Sequence, residues 1–401
     1  MSLDDEVRDE LRELEGRHRL RVPRVVDGVH GPRLTLDGTE VINAASNDYL
    51  SLAGDRRIVR AAANALEEDG AGAGASRLIL GNHRRHVSLE AALADWLRCG
   101  GVRLFNSGYA ANVGVLTSLL RAGDVVFSDE LNHASIIDGC RLSRAEVVVF
   151  PHRDVAALEA ALASRTGRRR IVVSETLFSM DGDVADVEAL SLVSKRHEAA
   201  LILDEAHAVG AWGPEGRGVA ADVGVVPDVL IGTCGKALGG FGAFAATTPA
   251  IAALLWNRAR SFVFSTALPP SVPAGVQAAV EIVRGSDGEQ RRRSLAANAG
   301  RLRDRVAGLG GEPTSAIAPL VIGDDRRVMA VSAAVLEQRV FIQGIRPPTV
   351  PEGTARLRIS LAAGHSVEEI DAIADAVNGA IGAAASGAVG AAANGSVSRA
   401  G

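Results

Sequence analysis

The sequence predicts an α/β protein built on a mostly parallel β-sheet that helices cover on both faces. Short apolar runs, which are typical of buried strands, alternate with helix-like segments between residues 56 and 231. Parallel strands need such crossover helices, and the helices then cover both faces of the sheet. The chain of 401 residues, 47% of them hydrophobic, can bury a large core and is long enough for two or more lobes.

The first 45 residues are predicted to form a helix over 4–20 and an arm that ends in a short extended segment at 40–42. A large α/β domain follows over residues 46–285. Its helices are predicted at 58–68, 87–97, 110–120, 155–163 and 187–197, and its strands at 102–105, 125–127, 147–150, 171–174, 201–203 and 229–231.

A smaller α+β domain is predicted over residues 286–382. The glycine-rich alternation gives way there to the extended runs 317–322 and 356–361 and to a closing helix near 367–381. The final segment, 383–401, is rich in Ala, Gly and Ser. We expect this tail to be disordered because it cannot bury much apolar area.

Composition excludes several classes of partner. The formal net charge is −5 and the basic runs 168–170 and 291–293 are short, so a nucleic-acid surface is not expected. The N-terminus lacks the pattern of a secretory signal, and the apolar stretch 244–256 is too short and interrupted for a membrane span. The 3 widely spaced cysteines form no Cys-x-x-Cys, which favours free thiols in a reducing cytoplasm over disulfides or a metal site.

Lys236 is unusual because the chain has 43 lysines and arginines, of which only Lys195 and Lys236 are lysines. Arginine cannot form a Schiff base, whereas a lysine in a partly desolvated pocket can lose its proton and do so. Lys236 lies among several glycines, directly after an apolar run. This setting favours a chemical role, with a surface lysine in a flexible loop as the alternative.

Polar side chains follow the predicted strands at their carboxyl ends, where sheets of this kind bind ligands. They are Asn106 to Tyr109, Ser128, Asp129, His133, Glu175, Ser179, Asp204, His207, Thr233 and Lys236. The first group also opens a helix, whose free backbone N–H groups suit a phosphate. Any one of these residues could be an ordinary loop or cap residue. Together, a lysine, an aspartate, a histidine and a phosphate seat fit a pyridoxal phosphate (PLP) site, with the aspartate holding a proton on the pyridine nitrogen.

Eight motifs resemble a known family, the fold-type I α-oxoamine synthases, which are PLP-dependent transferases. They are SNDYL (46–50), GASR (74–77), NSGYAAN (106–112), HAS (133–135), FSMDG (178–182), DEAH (204–207), TCGK (233–236) and IRPPTVP (345–351). The resemblance extends from about residue 19 to about residue 377. It implies a large PLP-binding domain and a smaller C-terminal α+β domain.

The resemblance also implies roles for individual residues. Lys236 would form the Schiff base, Asp204 would pair with the ring nitrogen, His207 would contact the ring hydroxyl and His133 would stack on the ring. Further cofactor contacts would come from Gly108, Tyr109, Glu175, Ser179, Thr233, Ser265 and Thr266. Ser265 and Thr266 resemble the phosphate contact that a second subunit lends, which implies a homodimer. Substrate contacts would come from Arg19 or Arg21, Asn47, Ser76, His133, Arg346, Thr349 and Arg358, the last as a carboxylate clamp.

Members of this family condense an amino acid with an acyl thioester and release carbon dioxide and the free thiol. The amino acid would displace Lys236, which would take the Cα proton, and the carbanion would attack the thioester before decarboxylation. Arg346 to Thr349 resemble the branch that uses L-alanine and a pimeloyl thioester more than the glycine-using branches. The sequence leaves open glycine C-acetyltransferase-like, 5-aminolevulinate synthase-like and serine palmitoyltransferase-like activities, and coenzyme A or an acyl carrier protein as the acyl carrier.

Three other interpretations fit the sequence less well. The DEAH motif is also typical of helicase-type ATPases, but the phosphate loop G-x-x-x-x-G-K-S/T that such enzymes need is not formed around Lys236. The glycines of 70–74 imitate a dinucleotide loop, yet they follow a helix rather than a strand. An inactive partner subunit is the non-enzymatic alternative, and the presence of Lys236 argues against it.

Overall fold

The computed structural model describes residues 2–385, which divide into two compact units. The central unit comprises Asn47–Ser179 and Asp183–Arg293. The terminal unit comprises the described parts of Met1–Ser46 and Ser294–Gly401, together with Met180–Gly182. The predicted limits of the large domain, 46 and 285, lie near those of the central unit.

The N-terminal part of the terminal unit begins with a capped helix. It contains helix α1 (Leu3–Gly16) and strands β1 (Val26–Asp27), β2 (Arg33–Leu36) and β3 (Thr39–Asn43). Ser2 and Asp5 form a capping box, in which each side chain accepts a hydrogen bond from the backbone N–H of the other. The helix ends at Gly16, short of the predicted residue 20, and His18 then adopts a left-handed φ of +58°.

The central unit alternates helices and strands. In chain order its elements are α2 (Arg56–Asp69), α3 (Arg84–Leu97), β4 (Gly101–Phe105), α4 (Gly108–Leu119), β5 (Val125–Asp129), α5 (Ala134–Ser143), β6 (Glu146–Phe150), α6 (Val155–Ser164), β7 (Arg170–Glu175), α7 (Val187–Arg196), β8 (Ala200–Asp204), a 3₁₀ turn (Pro214–Gly216), α8 (Val219–Asp222), β9 (Val229–Thr233), β10 (Ala243–Thr247), α9 (Pro249–Arg258), α10 (Arg260–Val263) and α11 (Ser271–Arg284). Helix α12 (Ser286–Arg305) carries the chain into the terminal unit.

The seven-stranded sheet of the central unit has the order β4-β10-β9-β8-β7-β5-β6. Strands β6, β5, β7, β8 and β9 are parallel, and β10 is antiparallel to both of its neighbours. The predicted mostly parallel α/β fold is therefore confirmed. Strand β10 was not predicted because its sequence, AFAAT, contains three alanines, which have little strand propensity.

Both faces of this sheet are buried. Val126, Val173 and Ile202 contribute to one hydrophobic cluster, whereas Val172 and Leu203 contribute to another. Successive strand residues point to opposite faces, so neighbours in sequence enter different clusters. Each fully buried aliphatic side chain stabilises the fold by about 1.5–3 kcal/mol. The core therefore holds the sheet rigid and fixes the positions of the strand ends.

The C-terminal part of the terminal unit is α+β. Its elements are β11 (Ile317–Gly323), α13 (Asp325–Glu337), β12 (Val340–Phe341), β13 (Gln343–Ile345), β14 (Ala355–Ser360) and α14 (Val367–Ala385). Strand β12 joins the three N-terminal strands in a sheet of the order β1-β2-β3-β12. The other three strands form a second small sheet of the order β11-β14-β13. The predicted disordered tail, 383–401, overlaps α14 at 383–385, and its remainder lies outside the described residues. No helix within residues 2–385 is long and apolar enough to cross a membrane.

Candidate active site

Strands β7, β8 and β9 bring their last residues to one edge of the sheet. Asp204, the last residue of β8, pairs in register with Glu175 on β7 and with Ile231 on β9. Its carboxylate is buried and accepts hydrogen bonds from Asn112 Nδ2 at 2.7 Å and from the Ala206 N–H at 2.8 Å. These contacts hold the carboxylate in one orientation.

The side chains of Lys236 and His207 contact each other near the end of strand β8, which carries Asp204. The Lys236 Nζ lies 2.6 Å from His207 Nε2, and His207 Nδ1 lies 2.7 Å from the hydroxyl of Tyr49. Tyr49 is fully buried, and its hydroxyl also donates to Asn47 Oδ1 at 3.1 Å. The sequence predicted Lys236, His207 and Asn47 as site residues but not Tyr49, although Tyr49 belongs to the SNDYL motif.

The loop that carries Lys236 is fixed by short-range contacts. The Thr233 hydroxyl donates to the Gly242 carbonyl at 3.1 Å and accepts from the Gly235 N–H at 3.2 Å. Gly239 has a φ of +61°, and a Cβ there would lie 2.5 Å from the backbone nitrogen of Ala53. Glycine is therefore required at this position for both conformation and space.

His133 caps helix α5 and is held as a neutral ring. Asn112 Nδ2 donates to the Ser135 hydroxyl at 3.0 Å, and that hydroxyl lies 2.7 Å from His133 Nδ1. His133 Nδ1 also accepts from the Ser135 N–H at 3.2 Å. Burial lowers the pKa of His133, against the opposing charge of Asp204. A neutral imidazole with Nδ1 as acceptor suits stacking against an aromatic ring. Asn112 contacts both Asp204 and Ser135, and the sequence did not single it out as a site residue.

Glu175 is a buried acid next to Asp204. Burial, followed by the negative charge of Asp204, raises the pKa of Glu175 to about 8. Its Oε2 accepts from the Ser179 N–H at 3.3 Å, and its Oε1 has no hydrogen-bond partner among residues 2–385. Glu175 is therefore protonated at neutral pH and adds no second negative charge next to Asp204.

The N-terminus of helix α4 is a candidate anion-binding site. Ser107 caps the helix by accepting from the Ala110 N–H at 3.1 Å, which leaves the amides of Gly108 and Tyr109 without intrahelical partners. A Cβ on Gly108 would meet nothing within 4 Å, so there is open space next to this helix end. The Tyr109 hydroxyl donates to Asp138 at 2.6 Å, and this bond raises the pKa of Tyr109.

Ser265 and Thr266 lie next to the strand end that opens α4. Asn106 Nδ2 donates to the Ser265 hydroxyl at 2.8 Å and to the Thr266 carbonyl at 2.9 Å. Thr266 also forms an isolated antiparallel bridge with Ser76. Contacts within the chain therefore hold this segment in place. The contribution of Ser265 and Thr266 to the site of a second subunit stays a prediction.

The remaining predicted substrate residues belong to the terminal unit. Arg19 forms ion pairs with Asp325 at 2.7 Å and with Glu352 at 2.5 Å. Arg21, in contrast, donates to the Thr349 hydroxyl at 3.1 Å. Arg346 donates to the His18 carbonyl, and Arg358 is buried on β14 and donates to the Ser360 hydroxyl at 2.7 Å. Burial and, second, the charge of Arg21 lower the pKa of Arg346, so the two cations are electrostatically coupled.

The geometry of the central unit is that of a PLP-dependent enzyme of fold type I. The residues present fit the cofactor: an amine at His207, a fixed carboxylate for a protonated ring nitrogen, and a helix N-terminus with space for a phosphate. The family described as aminotransferase class I and II matches residues 39–377, and the chain belongs to this family. Within it, the chain belongs to the α-oxoamine synthases, which use PLP.

Two similar curated proteins are 8-amino-7-oxononanoate synthases. The one from Geobacter sulfurreducens is 45% identical over 369 residues, which are 90% of this chain and 94% of the relative. The one from Geobacter metallireducens is 46% identical over 93% of this chain and 96% of the relative. A solved serine palmitoyltransferase from S. paucimobilis with a bound PLP–myriocin aldimine is 30% identical, with a TM-score of 0.90 over 95% of this chain and 98% of that one.

Proposed function

We propose that the protein condenses L-alanine with a pimeloyl thioester to give 8-amino-7-oxononanoate, carbon dioxide and a free thiol, a step of biotin biosynthesis in the cytoplasm. The observation that carries the proposal is the position of Lys236 against His207, beside the oriented carboxylate of Asp204. The names of the relatives, which are 42–46% identical over at least 90% of the chain, support the choice of substrates.

Each of the following residues of the central unit has a separate role in the proposed reaction. When bound, PLP withdraws electrons from the Cα of the amino acid. Lys236 provides the amine that holds the cofactor and the base that takes the Cα proton. Asp204 would keep a proton on the pyridine nitrogen, and His133 would cover the ring face. The amides of Gly108 and Tyr109 would bind the phosphate.

The acyl substrate is assigned to Arg21 rather than Arg19. Two carboxylates already neutralise Arg19, which therefore acts as a structural cation. Arg21 donates to the hydroxyl of Thr349, and its charge is near enough to that of Arg346 to lower the pKa of Arg346. A dicarboxylic acyl chain such as pimeloyl carries a free carboxylate at its far end, and this group matches such a site. The family motif supports Arg358 as the clamp for the carboxylate of alanine.

The active unit is inferred to be a homodimer. The segments joined by the Ser76–Thr266 bridge carry large apolar side chains exposed to solvent: Ile79 is 71% exposed, Leu80 85% and Phe264 73%. Exposed apolar side chains on neighbouring segments are typical of protein interfaces. Their position next to Ser265 supports the idea that this edge meets a second copy.

The test is a thiol-release assay that crosses L-alanine, L-serine and glycine with pimeloyl, acetyl, succinyl and palmitoyl thioesters. Each acyl group is presented on coenzyme A and on acyl carrier protein. We expect turnover with L-alanine and pimeloyl thioester. Turnover confined to glycine would contradict the proposed substrates. The likeness to serine palmitoyltransferase favours a second candidate, which turnover confined to L-serine and palmitoyl thioester would support.

A further inference from the structure

Four side chains form a continuous chain of hydrogen bonds in the central unit. Asn47 Oδ1 lies 3.1 Å from the Tyr49 hydroxyl, which lies 2.7 Å from His207 Nδ1, and His207 Nε2 lies 2.6 Å from Lys236 Nζ. Tyr49 is fully buried and His207 is buried, whereas Asn47 is half-buried. The two links to His207 are short, and the link from Tyr49 to Asn47 is at the long end of the hydrogen-bond range.

The direction of this chain follows from the chemistry of its first member. The amide oxygen of Asn47 can only accept, so the single proton of the Tyr49 hydroxyl points to Asn47. The phenol oxygen must then accept from His207 Nδ1–H. If Tyr49 donated to His207 instead, two acceptor oxygens would face each other at 3.1 Å without a proton between them. The ring nitrogen that remains without a proton is His207 Nε2, which faces Lys236.

We propose that Asn47 and Tyr49 are positioning residues that fix the Nδ1–H tautomer of His207, so that its Nε2 accepts a proton from Lys236. In this step the N–H bond of the Lys236 ammonium breaks and the Nε2 lone pair forms a new N–H bond. Lys236 becomes a neutral amine and His207 an imidazolium that still donates Nδ1–H to Tyr49. Charge is conserved and no other reactant is needed.

The step deepens the proposed function, because only a neutral amine can attack the aldehyde carbon of PLP. The opposite tautomer would present Nε2–H to Lys236 and could not take its proton. Other titratable groups surround the pair: the charge of Lys236 acts on Glu175 and on His133, and Asp204 acts on the same two groups. The pH dependence of any reaction of Lys236 therefore includes the influence of these groups. Glu175, His133 and Asp204 are unchanged in the Tyr49 variant, so its comparison with wild type isolates the effect of Tyr49.

The first experiment reads the tautomer in the full chain freed of cofactor. The protein contains 9 histidines, so ¹⁵N-histidine labelling gives few signals, and His207→Gln identifies those of His207. We expect wild-type His207 to carry its proton on Nδ1. Tyr49→Phe removes the acceptor for this proton and is expected to shift the ring toward Nε2–H. A wild-type ring that carries its proton on Nε2 would overturn the proposal.

The second experiment follows the rate of imine formation between added PLP and the cofactor-free protein by absorbance, from pH 6 to pH 9. Tyr49→Phe should react about tenfold more slowly at neutral pH, the scale expected for a weakened proton acceptor, and should recover at higher pH. Thr247→Val is the matched control, because it deletes a buried hydroxyl that donates to the Asp228 carbonyl at 2.6 Å on the far end of β10. It should leave the profile unchanged.

Asn47→Ala is the second variant, for the case in which Tyr49→Phe does not fold. It keeps Tyr49 but removes the acceptor that orients the Tyr49 hydroxyl proton, at the half-buried end of the hydrogen-bond chain. A mixed tautomer and an intermediate rate are expected. A rate profile of Tyr49→Phe or Asn47→Ala that matches wild type would overturn the proposal. Failure of the proposed function is distinguishable, because other substrates would then turn over in the thiol-release assay, while imine formation at Lys236 and the tautomer of His207 would stay as expected here.

Discussion

Glu175 and Asp204 lie side by side at the carboxyl ends of neighbouring parallel strands, paired in register and both buried. Two ionised carboxylates this close would repel each other, and burial already disfavours charge. Glu175 therefore keeps its proton, with its pKa raised to about 8. The pair provides one carboxylate for the cofactor ring and one neutral acid that accepts the Ser179 N–H.

The first prediction concerns the pH dependence of stability. The pKa of Glu175 is raised above its ordinary value of 4.5, so its contribution to stability is full below that pH and is lost as pH rises toward about 8. Glu175→Gln cannot ionise and resembles the protonated acid. Its free energy of unfolding should therefore fall less between pH 5 and pH 8 than that of wild type, as measured by urea denaturation of the cofactor-free protein.

Glu205→Gln is the contrasting variant. The pKa of Glu205 is also raised by burial, to about 7, but its carboxylate accepts from the Val219 N–H at 3.0 Å and the Ala220 N–H at 2.8 Å. An amide group would present a donor to one of these backbone donors and should cost about 1–3 kcal/mol at pH 5, a cost that should shrink as pH rises toward about 7 and wild type loses the contribution of protonated Glu205. Parallel pH curves for wild type and Glu175→Gln would contradict the assignment of a protonated Glu175.

The sequence predicted the strand-end residues of the site more completely than the residues behind them. Asp204, His207 and Lys236 were found because each follows an apolar run that reads as a strand, and parallel strands share one edge. Tyr49 contacts His207 across 158 positions of sequence, and Asn112 contacts Asp204 across 92. No local pattern reports such pairings, because they depend on how distant elements pack.

The distinction between Arg19 and Arg21 could not be predicted for a related reason. Both arginines lie in the same extended segment after α1, and either could meet a substrate. The partners that separate them, Asp325, Glu352 and Thr349, come from positions more than 300 residues away. Strand β10 escaped prediction because pairing with β4 and β9, rather than local propensity, makes its alanine-rich sequence extended.

Lys236→Arg tests the role of the lysine. Arginine keeps the positive charge but removes the nucleophilic amine and the base. The variant should bind PLP through the N-terminus of α4 and Asp204, yet show neither the long-wavelength absorbance band of a Schiff base nor turnover. Borohydride should fix the cofactor covalently in wild type and not in the variant. Lys195→Arg is the control, because Lys195 is exposed on α7 and should behave as wild type. Cofactor found on Lys195 would refute the assignment.

Arg21→Ala should weaken binding of the acyl substrate. Loss of a charge-assisted contact to a carboxylate costs about 1.5–3 kcal/mol, which corresponds to a rise in KM for pimeloyl thioester of roughly tenfold to a hundredfold. A heptanoyl thioester of the same length lacks the far carboxylate, so its KM should be the same for Arg21→Ala and wild type. Arg19→Ala should lower stability through loss of two ion pairs. It should keep the difference in KM between the pimeloyl and heptanoyl thioesters. Equal KM changes for both thioesters would contradict the carboxylate site.

The last prediction tests whether two subunits share each site. Lys236→Ala removes the amine, and Thr266→Val removes a hydroxyl from the segment that Asn106 anchors. Each variant alone should have little activity. If Thr266 serves the site of the neighbouring subunit, a mixed dimer carries one site with both defects and one with neither, so activity should return after subunit exchange. If Thr266 serves the site of its own chain, every site in the mixture keeps one defect. Absence of recovery despite exchange, demonstrated by mass labelling of one variant, would therefore exclude shared sites.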